Sequence, residues 1–574
     1  MKDERAIELS ITEGAFRSIA DEMSASLRRS SYSPIIRDML DYSCALFDAQ
    51  GLMIAQAETI PVQLGFLGYG LRSLIKYKGI EWFEKGDIVA LNHPFRGGNH
   101  TPDVQIFKPL FFENKLVGFA ANTAHHLDFG GCEPGTEGFD NREIFQEGLL
   151  LSGVKLFVKG EPNQQVFEII KENVRDPIRT MGDLRAQIAS NNLGEARFKT
   201  LLEKWGLEKM MNLIRELQDY TEKLVTTELE NIPNGSSHAI GFMDDDGIDP
   251  NNPIKIEATI IKKGISFTVD FTGSSKQTNT GMNLPLSNAY SAAYYALRAL
   301  LKDQSIPQND GCYRHVEVIA PEGTIVNPKF PAAVSARHVT AQRQIDTVLR
   351  ALTGILPERI CAGCNLSFPT FNCEALSENG KIIVTTDILG GGYGGNIMWD
   401  GMDAVDSHGS NCALLPAEIC EADGALKVIK TELVRDSGGA GKFRGGLAIA
   451  RTYEIIAEEA YVNLYADQGK PENSPWPLFG GLPGSPAKIF VTIVRNGKKK
   501  TKRIFPLKKH LYLKKGDRFT LVSCGGGGYG DPKERDPELV IEDVLNGKIS
   551  RKVAEKIYNV SINSRRIDEP ISKS

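Results

Sequence analysis

Gly97-Gly98-Asn99-His100-Thr101-Pro102-Asp103 and His125-His126-Leu127-Asp128 enclose two apolar runs, 104–112 and 116–121, joined by Glu113-Asn114-Lys115. That pattern predicts an antiparallel hairpin. In such a pair the entry of one strand lies beside the exit of its partner, so His100, Asp103 and His125 converge despite their separation in sequence. Two imidazoles and a carboxylate suit a borderline first-row metal such as zinc, manganese or iron. A metal of that kind makes a nucleophilic hydroxide from water near neutral pH. His126 and Asp128 stand by as orienting or general-base groups. His93 is either a further ligand or a plain loop residue. Three of the nine histidines fall in this stretch, which argues against loop histidines that merely satisfy backbone carbonyls.

On either side of the hairpin the periodicity changes several times. Phe16, Ile19, Met23 and Leu27 recur at three- and four-residue steps and predict a helix over 6–31, with Pro34 following. A hairpin is expected over 43–57 around Gln50-Gly51, and a short buried strand over 87–91 leads into the histidine loop. Helices then fill 165–173, 178–205 and 207–230, punctuated by Pro177 and Gly206. Further on, strands 255–261 and 266–271 flank Lys263-Gly264. Helices at 286–302 and 336–356, several hairpins to about 523, and helices at 537–545 and 551–558 complete the chain. The expected fold class is α+β (mixed), multi-domain, with β-hairpin-rich sheets and a central helical block. Its expected parts are an N-terminal metal-site region (1–162), the helical block (163–232) and a C-terminal β-rich region with helices (233–574). A length of 574 residues exceeds what one core holds.

Composition removes several function classes. The chain is 41% hydrophobic and 24% charged, with a net charge of -5, and no apolar run approaches the roughly 18 residues of a membrane span. The nine cysteines are odd in number and scattered, a usage that predicts a reducing, cytoplasmic location. Two glycine clusters, 390–395 and 525–530, fit G-x-G-x-x-G, but neither opens a helix, so both read as tight turns or backbone walls. Ser437-Gly438-Gly439-Ala440-Gly441-Lys442-Phe443 lacks the first glycine and the magnesium-binding hydroxyl of a phosphate loop. If ATP is used, this chain does not carry an ordinary phosphate loop for it. Cys361 and Cys364, with Cys373 beyond, lack the second pair of a zinc knuckle. The segment 495–518 holds 11 Lys or Arg and reads as a solvated hairpin face. It has no aromatic interleaving, so nucleic acid is not expected.

Ordered blocks along nearly the whole chain resemble the hydantoinase B family. They include Asp41-Tyr42-Ser43-Cys44-Ala45-Leu46-Phe47-Asp48, the two histidine stretches, Glu143-Ile144-Phe145-Gln146-Glu147-Gly148-Leu149 and Asn173-Val174-Arg175. Later come Ala320-Pro321-Glu322-Gly323-Thr324-Ile325-Val326-Asn327-Pro328, Asp436-Ser437-Gly438-Gly439-Ala440-Gly441 and Gly525-Gly526-Gly527-Gly528-Tyr529-Gly530-Asp531-Pro532. The resemblance implies a metal subunit of a hetero-oligomer. Its partner, a hydantoinase A-type ATP-binding subunit, would phosphorylate a small-molecule substrate. One divalent metal would sit at His100, Asp103 and His125 and activate the water that opens a cyclic amide. In the alternative, carboxylase branch it would stabilise a ketone-derived enol or a carboxy species. The resemblance also implies that Asp41, Gln63 and Glu147 meet the substrate. Two positions depart from the family pattern: many relatives carry Asp where His93 stands and His where Gln63 stands.

Overall fold

The computed structural model describes residues 2–377 and 379–562. Around the histidine hairpin lies a seven-stranded antiparallel sheet of β1 (Tyr42–Asp48), β2 (Met53–Gln56), β3 (Ile88–Leu91), β4 (Asp103–Phe112), β5 (Lys115–His125), β6 (Ser152–Val158) and β7 (Glu161–Pro162). Its order is β2-β1-β5-β4-β3-β6-β7, so the β4–β5 hairpin is central. Both faces are covered, which is why these strands read as nearly continuous apolar runs rather than alternating ones.

The pleat sends alternate residues to opposite faces. Cys44, Leu46, Ala120 and Ala124 join a core with α1 (Lys2–Ser30), and with Phe198 and Leu213 of the later helices. Ala45, Phe47, Phe119 and Ala121 instead meet Leu67, Leu71 and Leu74 of α2 (Pro61–Lys78). The expected stripe on α1 is present, with Phe16, Ile19, Met23 and Leu27 all buried. The helices expected over 163–232 are α3 (Gln164–Glu172), α4 (Pro177–Trp205) and α5 (Leu207–Glu230). They do not form a core of their own. Buried residues of α4 and α5 share the core of α1 and the sheet, because a lone helical stripe must be buried against something.

A second sheet pairs β8 (Gly235–Met243), β9 (Ile254–Lys263), β10 (Ser266–Asp270) and β11 (Val316–Ile319), with β10 and β11 parallel. The helices α6 (Ser287–Leu300) and α7 (Arg337–Leu352) bury their apolar residues in its core. Beyond it, a four-stranded sheet including β12 (Thr370–Leu376) and β13 (Glu459–Tyr465) shares a third core with a five-stranded sheet. The basic hairpin lies at an edge of the latter, with 498–503 exposed.

The glycine clusters are structural. Gly446 N–H donates to Tyr393 O at 2.8 Å, Gly526 N–H to Gly446 O at 2.9 Å and Gly439 N–H to Gly526 O at 2.8 Å, so three loops stack backbone on backbone. A side chain at Gly526 would collide with the Tyr393 carbonyl. The Cys361 and Cys364 sulfurs lie 4.0 Å apart, and neither belongs to a three-donor group among the described residues. No described helix is long and apolar enough to cross a membrane.

Candidate metal centre

Asparagine anchoring builds the loop that carries His100. Asn92 donates to Thr101 O at 2.8 Å and Leu149 O at 2.9 Å, and accepts from Leu151 N–H at 2.6 Å. Gly97, at φ 110°, turns the chain in the left-handed region and lets it pass against Gly70 of α2. Asp103 then opens β4 directly opposite His125, the last residue of β5.

Asp103 Oδ1 lies 3.2 Å from His125 Nδ1 and its Oδ2 lies 3.1 Å from His100 Nε2. Ligand atoms around a metal held at about 2.0–2.2 Å stand about 3.0–3.5 Å from one another. All three side chains are buried. His100 Nδ1 is 3.1 Å from Ser335 O. A carbonyl only accepts, so this nitrogen carries a proton, and in the neutral imidazole Nε2 is left with its lone pair. That Nε2 is buried without a hydrogen bond. The donor set therefore fits a divalent cation. Charge agrees. Burial would raise the Asp103 carboxyl, but His100, His125 and Arg337 hold it well below the usual range. Burial would lower the His125 imidazole, but Asp103 and Asp41 bring it up to about 9. The Asp103 carboxylate is therefore ionised, as a metal ligand must be.

The cluster opens on a cavity of about 70 Å³ lined in part by Asp41, Gln63, Glu137, Arg337 and His338. Asp41 Oδ2 lies 4.0 Å from His125 Nδ1, and Gln63 donates to Asp41 Oδ1 while accepting from Ser43 Oγ at 2.9 Å. Both expected positions are thus at the cavity. Glu137 Oε1 stands 3.6 Å from His100 Nδ1, and its Oε2 accepts from the Tyr465 hydroxyl at 2.7 Å. Burial pushes Glu137 up, but nearby imidazole charge, that of His125 above all, and the Tyr465 hydroxyl reverse this and bring it below its usual value. His338 contacts the Tyr465 hydroxyl at 3.3 Å and Thr370 Oγ1 at 3.2 Å. Burial lowers it to about 4, so it is neutral.

Three expected residues lie elsewhere. His126 follows His125 and takes the opposite side of the sheet, where its Nε2 meets Gln187 Oε1 of α4 at 2.9 Å. Asp128 is bound by Gly130, Gly135 and Arg175 N–H groups and pairs with the Arg175 guanidinium at 2.9 Å. It secures a loop. Glu147 does not line the cavity. Its carboxylate accepts from Val334 and Ser335 N–H at 2.8 Å, which positions the Ser335 carbonyl that holds His100. His93 is the plain loop residue: its Nδ1 accepts from Phe95 N–H at 3.2 Å and its ring stacks on Phe330. Sequence reasoning missed Glu137, Arg337, His338 and Tyr465. One signal was present: Arg337-His338 opens a helix, an end that ordinarily favours acids.

Mixed helices and antiparallel sheets thus surround a buried His–Asp–His donor set that opens on a small cavity. The chain belongs to the Hydantoinase B/oxoprolinase family, whose profile matches residues 5–532. It is 35% identical to a putative D-/L-hydantoinase component of Pseudomonas sp. (strain NS671) over 98% of this chain and 96% of that protein. The crystal structure of the ATP-dependent caprolactamase from Pseudomonas jessenii superposes with a TM-score of 0.89 at 28% identity, over 98% of this chain and 97% of that one. A nucleotide-free acetone carboxylase also superposes at TM-score 0.89, but at 18% identity over 98% of this chain and 80% of that one. That last likeness shows the fold alone.

Proposed function

We propose that this chain is the metal-dependent subunit of an ATP-dependent cyclic-amide hydrolase of the hydantoinase/5-oxoprolinase type. A hydantoinase A-type partner, in a hetero-oligomer, supplies ATP and phosphorylates the amide oxygen, in keeping with the absence of a phosphate loop at 437–443. The observation that carries the reading is the buried, unpaired His100 Nε2 facing Asp103 and His125. One divalent ion of zinc, manganese or iron, held by these three residues, would supply Lewis acidity and lower the pKa of water. The chain's own groups do the rest. Ser335 O fixes the His100 tautomer, and Asp103 brings the negative charge that retains the ion. Glu137, kept ionised in the cavity and oriented by Tyr465, accepts a proton from the attacking water and returns it to the departing ring nitrogen. Asp41, oriented by Gln63, faces the substrate from the opposite wall.

The hydrolase reading is preferred to the carboxylase one because the hydantoinase and caprolactamase likenesses extend to sequence. Its test is an assay of the chain with its ATP-binding partner, ATP, and 5-oxoproline or hydantoin, with and without bicarbonate plus a ketone. ATP-coupled ring opening without bicarbonate is expected. Strict dependence on bicarbonate would overturn the reading.

A further inference from the structure

Arg337 stands against ordinary helix electrostatics. It opens the 16-residue α7, whose N-terminal end carries partial positive charge and favours acids. Here Ala336 provides no side-chain cap and the first turn holds no acidic residue. A guanidinium has been added to an end that is already positive. The residue is 6% exposed. Its Nη2 donates to Asp103 Oδ2 at 2.8 Å. Its Nε is buried with no hydrogen bond, although the side chain lines the cavity that His100, His125 and Glu137 also line. A buried donor without an acceptor is destabilising, and because this one lies on the cavity, an acceptor carried by a ligand would relieve it. Helix N-termini and arginine forks both receive oxyanions.

We propose that Arg337 and the N-terminus of α7 form an anion seat beside the His100–Asp103–His125 cluster, receiving an oxyanion on the reacting molecule. The oxyanion is either a carboxylate carried by the cyclic amide or the phosphoryl group placed on its activated oxygen. This deepens the hydrolase reading and rests on it for the nature of the reacting molecule. The seat selects acidic or phosphorylated ligands over neutral lactams, since a neutral ring offers the free Nε no anionic acceptor.

The test is calorimetric titration of the metal-loaded full chain with L-5-oxoproline, inorganic phosphate and neutral caprolactam, in wild type, Arg337→Lys and Arg337→Gln. Metal content is measured in each. Lysine keeps the charge opposite Asp103 but loses the planar fork. The wild type should bind at least one of the anions. Arg337→Lys should weaken that binding about tenfold and Arg337→Gln should abolish it, with metal retained at least in Arg337→Lys. Loss for 5-oxoproline alone assigns the seat to a carboxylate. Loss for phosphate alone assigns it to the phosphoryl group, and loss for both gives a seat that takes either. The proposal is overturned if the wild type binds neither anion or if Arg337→Gln binds as the wild type does. Loss of metal from both variants also overturns it, because Arg337 would then serve Asp103 only. Anion binding needs no turnover, so a chain that binds through Arg337 while its complex opens no cyclic amide would sink the hydrolase reading and leave the seat standing.

Discussion

His100, Asp103 and His125 place one donor atom each within 4.8 Å of the others, and Glu133, Asp140 and His510 do the same elsewhere in the molecule. The residue types match, yet the hydrogen bonds differ. In the first cluster His100 turns Nδ1 to a backbone carbonyl, and the opposite nitrogen is buried with no hydrogen bond, free to offer a lone pair in the neutral ring. In the second, His510 Nε2 meets Asp140 Oδ2 at 3.0 Å. Its Nδ1 meets the Tyr461 hydroxyl at 2.6 Å, and that hydroxyl donates to Glu133 at 2.8 Å. Tyr461 therefore accepts from His510, so both ring nitrogens carry protons. Asp140 raises the His510 pKa against burial and stabilises that imidazolium. Converging donors are not sufficient for a cation; a lone pair must be left over, and of the two clusters the first leaves one.

The contrast is easiest to break at its strongest point. His100→Ala should lose its metal, close to one equivalent per chain in the wild type, together with all ATP-coupled turnover, while His510→Ala keeps both. Metal retained in full by His100→Ala, measured by elemental analysis, would end the assignment. Asp128→Ala comes next. It removes the acceptor of the Gly130, Gly135 and Arg175 N–H groups, while the Arg175 guanidinium keeps Glu374, and should cost about 1–3 kcal/mol in chemical denaturation without changing metal content. A loss of metal there would return Asp128 to the site.

A smaller effect concerns the support beneath His100. Burial raises Glu147 to about 8, outweighing its backbone and Ser335 hydrogen bonds. A raised folded pKa means that its contribution is full below the unfolded value near 4.5 and is lost as pH climbs towards 8. Wild-type Tm should therefore decline between pH 5 and 8 more steeply than that of Glu147→Gln. Equal slopes would show that this carboxyl is ionised throughout. Smallest of all is His510→Ala, costing under about 1 kcal/mol for a half-exposed pair. Because the His510 pKa is raised, the loss should be present at acid pH and fade as pH rises through the folded value.

The three candidate ligands and the hairpin that joins them were legible because both rest on local rules: apolar runs, a turn, and donor residues at the strand ends. Strand register then put Asp103 opposite His125. His126 was misplaced because adjacency in sequence is not adjacency in a pleat, and an odd or even position decides the face; Asp128 lies past the strand, in the loop it anchors. Glu147 was read as a substrate group because a buried carboxylate and a reactive one look alike without their partners. Glu137, Arg337 and His338 come from a loop and a helix start, and Tyr465 behind Glu137 from a distant strand, and only packing brings them together.

By itself, then, the amino-acid sequence determined the family, the mixed fold class and the donor triad, since each follows from residue types at short spacing. The tertiary structure decided which side chains share the triad's cavity, which proton His100 carries, and where Arg337 points its charge. Those depend on contacts across 200 or more residues, Asp103 to Arg337 spanning 234, and no local pattern encodes the burial that gives such contacts their strength.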